Sequence, residues 1–72
     1  MDKEKQLVLL GEKVKEFRKE KKMTQSQLAH AISKDREAIS RLERGVINPS
    51  FLHLKEVCKG LGITLSELLN GF

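Results

Sequence analysis

Leu7, Leu10, Val14 and Phe17 recur at steps of three, four and three within a stretch otherwise filled by Lys and Glu, which predicts an amphipathic first helix over residues 4 to 21. At about 100° per residue, Arg18 falls beside Leu7 and Val14 on the inward face of that helix and so calls for a buried partner. Met23-Thr24-Gln25-Ser26-Gln27-Leu28 then reads as a helix start. Thr24 is the N-cap, Gln27 closes a capping box, and Met23 staples to Leu28. Leu28, Ala29, Ala31 and Ile32 share one arc of this two-turn helix, where the alanines would let another helix cross closely.

Ser33-Lys34-Asp35 breaks the pattern, and Asp35 is a good N-cap for a third helix from Arg36 to about Arg44, closed by Gly45. Ala38, Ile39 and Leu42 cluster on one side of it. Arg36, Glu37, Ser40, Arg41 and Arg44 cover the other. After a loop ending in Asn48-Pro49, Ser50 caps a fourth helix whose apolar face is Phe51, Leu54, Val57, Cys58 and Leu61, stopped by Gly62. Leu52 lies off that face. Thr64-Leu65-Ser66-Glu67 is a second capping box, opening a short fifth helix with Leu65, Leu68 and Leu69 before Asn70-Gly71. No segment alternates like a strand or repeats internally, so the expected fold is all-α with five helices.

Length sharpens this picture: 72 residues support a single core, so residues 1 to 72 are expected to form one domain. Composition, 39% hydrophobic and 33% charged, fits a folded helical protein. The longest uncharged apolar run, Leu7 to Gly11, is far too short to span a bilayer and no cleavage-site pattern follows it, so a cytoplasmic protein with no membrane partner is expected. The lone Cys58 has no second thiol with which to form a disulfide or bind zinc, and His30 and His53 have no metal spacing. No metal, cofactor or small-molecule ligand is expected. The absence of a phosphate-cradling glycine loop and of a Ser, His and acid set argues against an enzyme.

A formal net charge of +4 favours polyanionic partners, and charge placement decides which surface would meet them. The lysines of the first helix alternate with acids, the pattern of a solvated helix with i,i+4 pairs. The third helix instead gathers three arginines on one side. By composition alone that side is equally a solvated face.

Two short helices joined by a tight turn, the second exposing arginines, form the pattern of a helix-turn-helix DNA reader. The run Met23-Thr24-Gln25-Ser26-Gln27-Leu28-Ala29, then Ile39-Ser40-Arg41-Leu42-Glu43-Arg44-Gly45, Asn48-Pro49-Ser50 and Leu61-Gly62-Ile63 closely resembles the phage repressor and Cro type helix-turn-helix family. The resemblance spans about residues 10 to 69. It implies a compact, lambda-repressor-like five-helix domain with the motif at about residues 24 to 44 and the third helix in the DNA major groove. Position by position it makes Gln25 a phosphate contact, Arg36, Glu37 and Arg41 base readers, and Arg44 a backbone contact; Ser40, on the same face, is counted with the base readers. It pairs Arg18 with Glu43 as a structural ion pair, which agrees with the inward direction of Arg18.

Arg36 and Arg41 have the fork that bonds guanine O6 and N7, and Glu37 could accept from cytosine N4. Equally, an acid in the first turn is favoured by the helix dipole alone. Where the family has Gly in the motif turn, this chain has Ser33-Lys34. A non-Gly residue at positive φ costs about 1 kcal/mol, so a slightly different turn is expected, with Lys34 free to touch phosphate. Within these 72 residues no C-terminal effector or dimerisation domain of the larger repressors is expected.

The function expected is therefore a sequence-specific double-stranded DNA-binding regulator, a repressor acting as a homodimer on a near-palindromic operator. Leu52 and Phe72 are the candidates for an apolar dimer patch in the C-terminal third, where relatives dimerise. Alternatives are an antitoxin or restriction-modification controller working with a partner, or a protein-interaction module that keeps the fold without binding DNA.

Overall fold

The computed structural model describes residues 2–72 and contains five helices: α1 (Lys3–Glu20), α2 (Gln25–Ala31), α3 (Arg36–Arg44), α4 (Phe51–Leu61) and α5 (Leu65–Leu68). Each starts at the residue whose side chain can satisfy an orphan amide. Asp2, Thr24, Asp35, Ser50 and Thr64 are the N-caps, and both expected capping boxes form. Gly45 and Gly62 end α3 and α4 in the left-handed conformation.

Two helices end in the same way without glycine. Lys22 after α1 has φ 57° and Ser33 after α2 has φ 58°. In both turns an amide reaches back to an orphan carbonyl, Met23 N to Arg18 O at 3.1 Å and Lys34 N to Ala29 O at 2.9 Å. The motif turn thus keeps the left-handed geometry that glycine adopts easily, with Ser33 bearing a strain of about 1 kcal/mol.

Leu10, Val14, Leu28, Ala29, Ile39, Leu42, Val57, Cys58, Leu61 and Leu68 form one buried core to which every helix contributes. One expectation about its edge fails. Phe51 is 61% exposed although its periodicity places it on the core face of α4. It occupies the first residue of that helix, and periodicity fixes a face without fixing how far the neighbouring helices cover it. Ala31, the last residue of α2, is exposed but lines the close approach of α4 as expected: at Gly60 a Cβ would lie 2.7 Å from Ile32 Cγ2, 3.0 Å from Leu28 Cδ1 and 3.9 Å from Ala31 Cβ.

Glycine also sets the seat of α3 against α1. Gly11 lies on the buried stripe of α1, and a Cβ there would come within 2.5 Å of the Leu42 and Glu43 carbonyl oxygens. Gly45 would bring a Cβ 2.7 Å from Val8 Cα. The two helices therefore meet backbone to backbone at the C-terminal end of α3. A glycine amid the apolar stripe of a long helix was the one sequence signal of this contact.

Candidate nucleic-acid interface

One face of α3 is fixed to the body of the protein by charge. Ile39 and Leu42 bury the apolar part of that face, and beside them Glu43 reaches Arg18. Arg18 Nε donates to Glu43 Oε2 at 2.6 Å and Arg18 Nη2 to Glu43 Oε1 at 3.1 Å, a bidentate pair whose side chains are 9% and 3% exposed. Arg18 Nη1 also donates to Met23 O at 2.7 Å, just before the cap of α2. Burial of both charges is tolerable because all three guanidinium nitrogens and both carboxylate oxygens have partners, and among the described residues no buried side-chain polar atom lacks one.

Gln25 extends this pair to the surface. Its Nε2 donates to Glu43 Oε1 at 3.0 Å and its Oε1 accepts from Arg36 Nη1 at 3.0 Å. The carboxylate on one side and the guanidinium on the other fix the orientation of the amide. One N–H of Gln25 is left over for a further acceptor. A chain of bonds thus joins α1, the end of α3, the start of α2 and the first residue of α3, a connection that sequence separation concealed.

The opposite face of α3 points outward. Arg36, Arg41 and Arg44 are exposed, Ser40 and Glu37 are intermediate, and Lys34 stands exposed in the turn before the helix. Glu37 is the acid among these arginines: its Oε1 lies 3.1 Å from Arg44 Nη2 and 3.5 Å from Arg41 Nε. Arg44 Nε additionally donates to Ser40 O at 3.4 Å, laying that side chain back along its own helix. The expected DNA-facing residues Gln25, Lys34, Arg36, Glu37, Ser40, Arg41 and Arg44 all belong to α2, α3 and the turn between them. The missed features are the Glu37 ion pairs and the relay role of Gln25.

The rest of the surface contributes less charge to this side. Among the described residues, none of the lysines of α1 makes the i,i+4 ion pair with an acid that their alternation predicts. Long exposed side chains gain too little from such pairs to be held in one geometry. Leu52 is 69% exposed on α4, as expected for a residue off the core face. Phe72 is half exposed, with the Lys13 ammonium 5.1 Å from its ring centroid. Lys13 also donates to the Asn70 carbonyl, holding the end of the chain against α1.

Burial, then the charge of Glu67, pushes the Cys58 thiol up, so at neutral pH it is a protonated core group. Glu67 itself is held low by the backbone and then the side-chain hydrogen bonds of Thr64 in the α5 capping box. Among the described residues no three His, Cys, Asp or Glu side chains could together hold a metal, and no helix is long and apolar enough to cross a membrane.

A helix-turn-helix family model matches residues 14–68. Control protein C.MunI from a Mycoplasma species is 42% identical over 64 residues, covering 88% of this chain and 86% of that protein. The immunity repressor protein of Bacillus phage phi105 is 38% identical over 60 residues, covering 83% of this chain and 42% of the repressor. Among solved structures, the restriction-modification controller protein C.AhdI from Aeromonas hydrophila superimposes with a TM-score of 0.86 at 31% identity, covering 89% of this chain and 97% of that one.

Proposed function

The chain belongs to the helix-turn-helix family of the phage repressor and Cro type, and from that membership we propose that it regulates transcription by reading double-stranded DNA with α3. The carrying observation is the division of that helix. Ile39, Leu42 and Glu43 are buried and fixed, so Arg36, Arg41 and Arg44 are presented outward from a rigid support. With α3 in the major groove, Arg41 and Arg36 bond base edges. Lys34, Arg44 and the spare N–H of Gln25 bond phosphate and set the register. Bound protein regulates by occupying its site. The 72 residues act as one DNA-binding domain.

Binding is by a homodimer. Phe51, Leu52, Leu69 and Phe72 leave apolar surface exposed in the C-terminal third, which supports a two-fold contact there. Such a dimer sets its recognition helices about 34 Å apart, one DNA turn, and requires a near-palindromic site. A narrower role as a restriction-modification controller is supported by the likeness to controller proteins, and that of a phage repressor by the likeness to the phi105 immunity repressor.

Selection of bound sites from a random duplex pool tests the reading. The expected result is a near-palindrome with half-sites one turn apart and binding that weakens steeply with salt. Failure to enrich any sequence overturns it in favour of an interaction module, and a monomer by sedimentation in the presence of the selected site removes the dimer. Selected sites lying upstream of restriction or methylation genes would identify a controller.

A further inference from the structure

Of the three arginines on the outer face of α3, two already have a counter-ion. Glu37 holds Arg44 at Nη2 and, in addition, meets Arg41 at Nε, while Arg44 is folded back onto the Ser40 carbonyl. The three side chains are about half exposed, so the arrangement is not enforced by burial. We propose that Glu37 is a specificity-determining residue that reads no base: its carboxylate competes with DNA phosphate for Arg41 and Arg44 and so suppresses binding to duplex of any sequence. The inference rests on the DNA-reading function proposed above and deepens it.

Affinity for noncognate DNA comes almost wholly from cations meeting phosphates, each contact releasing condensed counterions. Arg44 must leave Glu37 before it can reach a phosphate, and the carboxylate then faces the polyanion without its cation. A complex whose only gain is phosphate contact therefore bears the full penalty. Release of Arg44 is the same at either site; the penalty is smaller at a cognate site for Arg41 alone, which meets Glu37 at Nε, the inner edge of its guanidinium, and need not leave it for phosphate. The two terminal nitrogens remain available for guanine N7 and O6 while the i,i+4 ion pair persists. Glu37 thereby widens the ratio between cognate and noncognate affinity.

Glu37→Gln keeps the shape and removes the charge. Dissociation constants for the selected site and for a scrambled duplex of equal length, measured across a salt series, give the readout, with Glu16→Gln on α1 as an equal change in net charge. Glu37→Gln should tighten binding to scrambled duplex roughly ten-fold at low salt and steepen its salt slope by about one to two, with a smaller gain at the selected site. Glu16→Gln should change either by less than about two-fold, and adding Arg44→Ala to Glu37→Gln should remove most of the gain. Unchanged or weaker binding to scrambled duplex overturns the proposal, as does an equal gain from Glu16→Gln. A loss confined to the selected site would show instead that Glu37 accepts from a base. If the wild-type protein binds no duplex, the DNA-reading function falls and this inference with it, whereas a binding wild type with an indifferent Glu37→Gln refutes the inference alone.

Discussion

Glu43 and Glu37 stand on the same short helix and each faces arginine, yet one is enclosed by the protein and the other by water. Glu43 and Arg18 are almost fully buried, bidentate at 2.6 and 3.1 Å, and backed by Gln25. Glu37 meets Arg41 and Arg44 at 3.5 and 3.1 Å with all three side chains about half exposed. Desolvation makes the difference. A buried pair cannot exchange its partner for water, so losing either member strands a charge, while an exposed pair is replaced by hydration at little cost. The inner pair therefore fixes where α3 sits, whereas the outer cluster adds little to stability and acts only when a polyanion approaches it.

Glu43→Ala is the strongest way to break this contrast. It leaves Arg18 buried without its carboxylate, and removing one partner of such a pair costs about 3 to 5 kcal/mol, a large part of the stability of a small domain. Thermal or urea unfolding should show a protein largely unfolded at ambient temperature. A variant melting within a few degrees of wild type would put the pair in the same class as Glu37.

On the outer face the expected effects are on binding. Arg41→Ala should weaken the preferred site by about 1 to 3 kcal/mol and relax base preference at one position per half-site. Lys34→Ala or Arg44→Ala should weaken all sequences alike and lower the salt slope by about one for each phosphate that a subunit no longer neutralises. Binding titrations on the selected and scrambled duplexes separate the two patterns, and Arg36→Ala should follow Arg41. An Arg36→Ala variant that weakens both duplexes by the same factor would move Arg36 to the phosphate group.

The smallest effect expected is that of Glu37→Gln on stability. An exposed pair contributes about 0 to 1 kcal/mol, so unfolding of this variant should nearly coincide with wild type. A loss comparable to that of Glu43→Ala would erase the distinction between the two faces.

Much of the molecule is decided by residues close in sequence. N-caps, capping boxes and the glycines after α3 and α4 act over three or four residues, so Thr24, Asp35, Ser50, Thr64, Gly45 and Gly62 mark their helix ends in the sequence itself. Periodicity sorts α3 into a buried side and an arginine side for the same reason, and it turns Arg18 inward before any partner is known. Resemblance to the family supplied Glu43 as that partner. Only the tertiary structure decided what depends on distant segments: the backbone contact at Gly11, the exposure of Phe51, and the bonds of Gln25 to Glu43 and Arg36. The positive φ of Lys22 and Ser33 likewise follows from how the next helix must be aimed rather than from the residues that bear it. The reach of Arg44 to Glu37, two turns away on one face, depends on which of many rotamers of a long side chain is held, and local sequence leaves that choice open.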